Sequence, residues 1–404
     1  MQGALKGVKV LDLSRVLAGP LGTMLLADLG AEVVRVEQPG GSDDIRHWWP
    51  FSGEESTYYL SANRNKKSIT LNLKSERGRS LFEDMVRQAD VVVENFKAGT
   101  LARLGLSYEH LTSINSRLIL CSVTGYGQDG PYHKQPGYDP VIQAVAGLMD
   151  VTGEADGEAT RVGTPVVDIM TSHYVCISIL AALRSRDESG KGQHIDLSLL
   201  DVQVSSLANI SSSYLMNGHV SKRAGNAHGN ITPYETFLCR DKPLMIAAGN
   251  DRMFAALCNV IGQESLAEDP RFRTNADRIA HRSELRAILE SVFKTERADA
   301  WAEKLAANQV PCGPVNNIEQ VFQHDQVKHR DMVVEHSHSS LGTYKGVRNP
   351  ILSDGHALDV NSAPPTLGEH TASFLSEWFN FDQKTIDDLK KRVSYRQRLF
   401  ALYN

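Results

Sequence analysis

The first 200 residues of the chain alternate between short apolar strands and helices, and this alternation limits the fold more than any other feature. Strand patterns occupy six segments: 8–13, 32–37, 68–73, 90–94, 117–123 and 194–197. Helical spacing fills 20–30 and 76–89 between them. Strands that alternate with helices form parallel sheets with helices on both faces. The sequence therefore predicts an α/β fold with a Rossmann-like parallel sheet.

Composition and charge exclude several classes of protein. The 404 residues leave room for two or three domains. The net charge of −5 argues against nucleic acid as a main partner, because nucleic-acid binding usually needs a basic domain. No apolar run approaches the roughly 18 residues that span a membrane, and no signal peptide precedes the first strand. We therefore expect a cytoplasmic protein without a membrane partner, or a mitochondrial-matrix protein if a eukaryotic targeting segment was removed.

Cysteine and histidine spacing gives little support to a metal site. The five cysteines are scattered and form no Cys-x-x-Cys pair, which argues against zinc or a disulfide framework and favours a reducing compartment. The densest histidine group is His324, His329, His336 and His338, and no carboxylate accompanies it at a recognisable spacing. Exposed polar histidines explain this group better than a metal site, so we predict no metal.

The composition changes near residue 221 and divides the chain. A helix is predicted over 201–216, and 221–230 is a polar loop rich in Gly and Asn. Beyond it, a hairpin over 233–248 and helices near 252–261 and 283–293 are typical of a smaller α+β domain. More strands are predicted over 333–354 and a terminal helix over 382–393. The predicted organisation is a large α/β domain over 1–224, a small α+β domain over 225–325, and a segment over 326–404 that returns to the large domain.

One carboxylate stands at the start of a long apolar helix. Pro165 suits the first turn of a helix, and the residues from Ile169 to Leu183 are apolar on most faces, which predicts a buried helix. Asp168 would lie in its first turn, where the helix dipole stabilises an anion. From the local pattern alone, Asp168 is either a helix-start residue or a carboxylate nucleophile.

Polar residues follow several of the predicted strands. Ligands bind at the carboxyl ends of strands in open α/β sheets, so Asn95, Phe96 and the nearby Arg103 are candidates for a binding cleft. The basic, amide-rich run 63–68, which includes Asn63, suits a phosphate group or is a solvated loop. Tyr138 begins a helix that reaches the same cleft. Phosphate-cradle motifs of the dinucleotide-binding and P-loop types are missing, as are Gly-x-Ser-x-Gly and His-Glu-x-x-His.

Taken together, these motifs resemble the class III CoA-transferase family, also called CaiB/BaiF or formyl-CoA transferase-like, over nearly the whole chain. The matching elements are LAGP at 17–20, VRVEQPG at 34–40, NRNK at 63–66, ENF at 94–96, TGYG at 124–127, GYD at 137–139 and the Asp168 helix start. Within the family, 55–61, 227–229 and 248–250 resemble the succinate–hydroxymethylglutarate (glutarate) branch. Leu17 and the isolated Gly249 depart from the formyl-CoA branch, which has a glutamine and a run of glycines there.

The resemblance implies roles for particular residues and an assembly. Asp168 falls on the catalytic aspartate of the family, and members are interlocked homodimers. Backbone N–H groups near Gly249 are candidates for stabilising oxyanions. The implied CoA-binding residues, together with two cleft candidates from the motifs, are Arg35, Asn63, Asn95, Phe96, Arg103, Lys134 and Tyr138. No cofactor is expected beyond coenzyme A and acyl-CoA as substrates.

The expected reaction transfers CoA from an acyl-CoA, succinyl-CoA foremost, to a carboxylic acid through aspartyl anhydride and aspartyl-CoA thioester intermediates. If the acid is dicarboxylic, its distal carboxylate needs a cation. The candidate cations nearest to the matched motifs are Arg46 and Arg15, and Val16 adjoins Arg15 at the substrate site. Surface or interface ion pairs are the alternative for both arginines. An α-methylacyl-CoA racemase and a non-catalytic CoA-binding protein are the alternative functions. The racemase branch has a histidine where this chain has Tyr138.

Overall fold

The structure is a computed structural model that describes residues 3–41 and 43–387. The strands of this part are β1 Lys9–Asp12, β2 Glu32–Glu37, β3 Phe51–Ser52, β4 Glu55–Ser56, β5 Lys66–Thr70, β6 Val91–Glu94, β7 Ile119–Thr124, β8 His194–Ser198, β9 Tyr234–Leu238, β10 Pro243–Ala247, β11 Cys312–Pro314, β12 Val333–His338, β13 Gly342–Val347, β14 Leu352–Ser353 and β15 His356–Ala357.

The helices of the described residues, besides a 3-10 helix at Asp44–His47, are α1 Ala18–Asp28, α2 Thr57–Leu60, α3 Glu76–Val86, α4 Thr100–Arg103, α5 Tyr108–Ile114, α6 Asp139–Val145, α7 Val166–Ser189, α8 Leu199–Ser206, α9 Asn209–Asn217, α10 Asp251–Val260, α11 Ser265–Glu268, α12 Asn275–Ala280, α13 Arg282–Phe293, α14 Ala298–Ala307, α15 Ile318–Gln323, α16 Asp325–His329 and α17 Thr371–Phe379.

A six-stranded sheet organises the first of two compact units. Its strand order is β5-β2-β1-β6-β7-β8, and every neighbouring pair is parallel. Side chains alternate between its two faces: Val10 packs in one apolar cluster with α1 and α7, while Leu11 packs in another with α3, α5 and α17. The predicted parallel sheet with helices on both faces is confirmed.

The second unit has its own sheet and core. Among the described residues it comprises 147–162 and 213–330, and the first unit comprises 3–41, 43–146, 163–212 and 331–387. Strands β9 and β10 form the predicted antiparallel hairpin, and β11 pairs with the other edge of β10. Helices α10, α13 and α14 bury Phe254, Leu289 and Trp301 in its core. The segment 147–162, which the sequence pattern assigned to the large domain, groups with this unit.

One predicted helix differs in the structure, and another is described only in part. The helix predicted over 201–216 is interrupted, because Ala208 adopts φ of +44° between α8 and α9, and a left-handed residue cannot continue the hydrogen-bonded turns. The hydrophobic pattern runs through the break, so it gave no signal. Residues 383–387 of the predicted terminal helix 382–393 are helical, and the segment from 388 lies outside the described residues.

Helix α7 corrects the expectation that no apolar run approaches the length of a membrane span. Its 24 residues are long and apolar enough, by length and composition alone, to cross a bilayer. Half of its most apolar window is buried in the protein, and a core helix of a soluble protein passes the same test. Val175 and Ile179 lie in the core beside α1, so packing in the protein accounts for this face of the helix.

Candidate active site

A cleft of about 440 Å³ opens in the first unit at the carboxyl ends of the parallel strands. Its walls are formed by residues that follow β1, β2, β6 and β7, where a parallel sheet presents loops to a ligand. The structure brings seven of the sequence-predicted site residues to this cleft: Arg15, Val16, Arg35, Asn95, Phe96, Tyr138 and Asp168.

Asp168 stands in the first turn of α7, as predicted, and a second aspartate caps that helix. Pro165 is the N-cap residue rather than the first helical residue, and its side chain cannot accept a hydrogen bond from the first turn of the helix. The N–H groups of Val167 and Asp168 instead donate to Oδ2 of Asp139, at 2.7 and 3.3 Å. Gln143 donates to Oδ1 of Asp139 at 2.6 Å. The buried Asp139 therefore fixes the helix end that carries Asp168.

The electrostatics of Asp168 differ from the expectation. Burial raises the pKa of its carboxyl to about 7, and the negative charge of Asp139 adds to the shift. The sequence led us to expect that the helix N-terminus favours the ionised state, but in the structure desolvation and the like charge outweigh that contribution. Near neutral pH, Asp168 therefore divides between a protonated form and the carboxylate.

Tyr58 is a neighbour of Asp168 that the sequence reasoning did not single out as a site residue. Burial raises the pKa of its phenol, and the charges of Asp168 and Asp139 raise it further. Tyr58 is half-buried and meets Trp48 edge-on, with ring centroids 5.4 Å apart. The phenol therefore stays protonated at neutral pH. Its only signal in the sequence was its place in the matched segment 55–61.

The loop after β1 is held by Asn95. The N–H of Arg15 donates to Oδ1 of Asn95 at 2.8 Å, and Nδ2 of Asn95 donates to the carbonyl of Arg15 at 2.8 Å. The Arg15 guanidinium lies over the Phe96 ring, 5.2 Å from its centroid. Val16 adopts φ of +63°, a strained conformation for a β-branched residue, and its N–H donates to Asp43. The Asn95 amide is thus engaged by the main chain, while Phe96 and Arg15 face the cleft.

Arg35 borders the cleft, but its guanidinium is completely buried. It forms ion pairs with Asp12, Glu37 and Asp43 and donates to Oδ1 of Asn63 at 3.0 Å. Asn63 does not line the cleft. The predicted phosphate contacts of Arg35 and Asn63 stay predictions, and in this structure both side chains serve an internal network.

The run 63–68 is not a solvated loop, because four of its residues are buried and the other two are half-buried. Arg64 pairs with Asp28 at 2.6 Å, and Lys66 pairs with Asp12 at 2.9 Å. Burial lowers the pKa of Lys66 to about 8, although Asp12 opposes the shift. Burial would raise the pKa of Asp12, but the cations Lys66 and Arg35 lower it. None of these four side chains lines the cleft, and their charges are paired inside the protein.

Arg46 lies outside the cleft lining. Its guanidinium binds Glu37 through two hydrogen bonds, of 2.8 and 2.7 Å, and stacks 3.7 Å from the centroid of the Tyr59 ring. The alternative that the sequence left open for Arg46 was a surface or interface ion pair, whereas the structure shows a buried ion pair within the chain. Arg15 is therefore the better placed of the two cations proposed for the acid.

Two predicted phosphate contacts flank the cleft on exposed positions. Arg103 donates to the hydroxyl of Thr100 at 2.7 Å, and Thr100 itself lines the cleft. Lys134 is exposed between His133 and Gln135, which also line it. Three further basic side chains in the lining were not proposed from the sequence: Lys74, Lys97 and His133. Lys97 directly follows the matched ENF motif, which was the available signal.

Gly249 belongs to the second unit and follows β10. Its N–H donates to the carbonyl of Ala247 at 3.0 Å, and the next residue, Asn250, caps α10 by accepting from the N–H of Met253 at 2.9 Å. The proposed oxyanion role of Gly249 stays a prediction. Within 3–41 and 43–387, no group of three or more His, Cys, Asp or Glu side chains is arranged to hold a metal ion.

Comparison with known proteins decides the family. The model of CoA-transferase family III matches residues 5–371. The chain belongs to this family. The sequence is 42% identical to succinyl-CoA:glutarate CoA-transferase of Homo sapiens over 386 residues, which are 95% of this chain and 88% of that protein. It is 44% identical to succinate–glutarate CoA-transferase of Agrobacterium fabrum over 381 residues, 92% and 95% of the two chains.

A solved structure supports the assignment. A CaiB/BaiF family protein from Brucella suis superimposes with a TM-score of 0.85 at 43% identity, covering 94% of this chain and 100% of that one. The resemblance drawn from the sequence motifs is confirmed, and the protein is a family III CoA-transferase.

Proposed function

We propose that this CoA-transferase moves coenzyme A from an acyl-CoA, succinyl-CoA foremost, to a dicarboxylic acid, with Asp168 as the nucleophile. The observation that carries the proposal is the carboxylate of Asp168 in the lining of the cleft, at a helix start that Asp139 fixes. The relatives that act on succinyl-CoA and glutarate support the choice of substrates.

The proposed reaction uses four displacements and needs no net proton or electron. The Asp168 carboxylate attacks the thioester carbonyl, the C–S bond breaks, and an aspartyl–acyl anhydride and the CoA thiolate form. The thiolate then attacks the aspartyl carbonyl, which releases the donor carboxylate and leaves an aspartyl-CoA thioester. The acceptor carboxylate attacks that thioester and expels the thiolate, and the thiolate takes the acceptor acyl group. Asp168 is regenerated as a carboxylate.

Each displacement passes through a tetrahedral oxyanion that needs a hydrogen-bond donor. Backbone N–H groups near Gly249 remain our candidates for this role, and each aligned donor is worth ~3 kcal/mol. Chemistry of this kind calls for no cofactor beyond coenzyme A.

We also retain the interlocked homodimer as a proposal. The packed helices α6, α7 and α8 of the first unit expose several large apolar side chains that a partner subunit would cover: Val141, Val145, Tyr174, Ile177 and Val204. The absence of a membrane partner and a cytoplasmic or matrix location are likewise proposals.

No specific observation favours the racemase, since Tyr138 stands in place of a histidine and Asp139 is engaged in capping α7.

The dicarboxylate assignment is tested with a panel of acids assayed against succinyl-CoA, with mass detection of each new acyl-CoA. We expect glutarate and other dicarboxylates to exceed monocarboxylates of the same length by about tenfold or more in kcat/KM, because an unpaired buried carboxylate or cation is costly. Oxalate and formate belong in the panel as short competitors. A preference for monocarboxylates would reject the dicarboxylate reading and keep the transferase.

The variant Arg15→Gln tests whether the Arg15 cation binds the distal carboxylate of the acid or a phosphate of CoA. If Arg15 binds the distal carboxylate, the KM for glutarate rises and the KM for a monocarboxylate of equal length does not. If the KM for succinyl-CoA rises instead, the guanidinium over Phe96 serves a phosphate of CoA. Arg15→Lys, which keeps the charge, should show the smaller change.

Arg103→Ala and Lys134→Ala should each raise the KM for succinyl-CoA about fivefold, as expected for an exposed charge pair, and make it less sensitive to salt. A phosphate contact is made equally in the ground and transition states, so kcat should change little. Arg184→Ala is the matched control, because Arg184 is exposed on α7 and paired with Glu188. A loss of kcat at unchanged KM would place either residue in the chemistry instead.

A further inference from the structure

Glu94, the last residue of β6, carries a buried carboxylate whose charge is not neutralised by a cation. The residue is 4% exposed, and among the described residues no Lys, Arg or His lies within ion-pairing distance of it. Its hydrogen-bond partners are the N–H of Phe96, at 2.8 Å, and the hydroxyl of Ser122. Burial raises the pKa of this carboxyl to about 7.

The surroundings of Glu94 make its charge costly. In the sheet register, Glu94 lies beside Ser122 of β7, which lies beside Asp196 of β8. Asp196 adds a second negative charge, and the Ser122 hydroxyl also meets Nε2 of His194 at 3.0 Å. A neutral side chain at position 94 would fill this space without the cost of desolvating a carboxylate. A smaller neutral residue at position 94 would, however, leave the N–H of Phe96 without its side-chain acceptor.

The turn that Glu94 holds carries two of the residues that the family resemblance implies for CoA binding. Asn95 and Phe96 follow Glu94 directly, and Phe96 lines the cleft with Arg15 over its ring. By accepting from the Phe96 N–H, the Glu94 carboxylate closes a tight side-chain-to-backbone turn at the strand end. The direction of the Phe96 ring therefore depends on a group that does not itself face the ligand.

We propose that Glu94 is a positioning residue for the adenosine end of acyl-CoA: it fixes the turn that presents the Phe96 ring for stacking. The inference rests on the proposed function, in which this cleft binds CoA. Glu94 touches neither the thioester nor Asp168, so its effect should be confined to substrates that carry adenosine.

The experiment compares succinyl-CoA with succinyl-pantetheine, a thioester that lacks the nucleotide. Glu94→Ala should raise the KM for succinyl-CoA about tenfold, the effect expected for losing one base–aromatic stack, while kcat changes less than about twofold. Its kinetic constants with succinyl-pantetheine should equal those of the wild type. Glu94→Gln should restore the KM for succinyl-CoA, because its amide oxygen can accept from the Phe96 N–H and its amide nitrogen can donate to Ser122.

A double-mutant cycle with Phe96→Ala tests the coupling. If Glu94 acts through the ring, Glu94→Ala adds nothing to the loss caused by Phe96→Ala. Melting temperatures verify that each variant is folded, and Glu94→Leu, which fills the space without an acceptor, replaces Glu94→Ala if the latter does not fold.

Three results would overturn the proposal: an unchanged KM for succinyl-CoA in both Glu94→Ala and Glu94→Leu, an equal loss with succinyl-pantetheine, or a failure of Glu94→Gln to restore binding. A wild-type enzyme that transfers no CoA would instead contradict the proposed function.

Discussion

Replacing Asp168 with alanine should lower kcat for CoA transfer by at least about 10,000-fold, the scale seen when a covalent nucleophile is removed. The dissociation constant for succinyl-CoA should change little, because the carboxylate forms the intermediate rather than anchoring the nucleotide. Transfer is measured by mass detection of the new acyl-CoA, and binding by calorimetry with succinyl-CoA and no acceptor.

Trapping tests the same assignment directly. Wild-type protein incubated with succinyl-CoA and then with hydroxylamine or borohydride should be modified on the peptide that contains Asp168. Asp201→Asn is the matched control, since Asp201 also stands in the first turn of a helix, is exposed, and does not line the cleft. Modification that persists in Asp168→Ala would reject Asp168 as the nucleophile.

Replacing Asp139 with alanine should lower kcat by about 10- to 100-fold and reduce the free energy of unfolding by ~1–3 kcal/mol. The first effect follows from misplacing a catalytic group by about 1 Å, and the second from leaving the N–H groups of Val167 and Asp168 without their acceptor. Steady-state kinetics and denaturant titration measure the two effects. Normal kcat in a destabilised variant would show that Asp139 holds the helix without affecting catalysis.

The pH dependence of kcat separates the effect of the Asp139 charge from the effect of its hydrogen bonds to α7. The reactive form of Asp168 is the carboxylate and its pKa is about 7, so kcat should fall as the pH decreases through 7. Asp139→Asn keeps an acceptor for the helix N–H groups but removes the like charge. The pKa of Asp168 should therefore fall, and the acidic limb of kcat should move to lower pH. Comparing the two proteins with one substrate cancels the titration of the substrate itself, and an unmoved limb would contradict the assignment.

Local patterns predicted the architecture because the first unit is built from segments whose periodicity decides their structure. The strand predicted over 32–37 is β2 with the same bounds, and the apolar runs 90–94 and 117–123 correspond to β6 and β7, which pair with each other in the same sheet. The strand predicted over 68–73 begins two residues earlier, as β5, because its first residues are the charged Lys66 and Lys67, which carry no apolar signal.

The position of Asp168 was also readable from the sequence. The long apolar segment and Pro165 identify a helix and its start, and the carboxylate falls in the first turn of α7. Parallel strands bring their carboxyl ends to one edge, so the loops that carry Arg15, Phe96 and Tyr138 meet in one cleft without any further information.

Charge pairing and protonation were decided by the tertiary structure alone. Sequence spacing cannot show that Arg35 is surrounded by Asp12, Glu37 and Asp43. These carboxylates lie on different segments of the chain, and only the folded structure shows which of them are buried against Arg35. Nor can it show that Asp139, 28 residues upstream of Val167, caps α7. The pKa of Asp168 follows from that arrangement, since desolvation and a like charge depend on which groups the fold places around a carboxylate. The sequence thus determined the sheet and the helix that carries Asp168, and the tertiary structure determined which charged groups are paired inside the protein and which line the cleft.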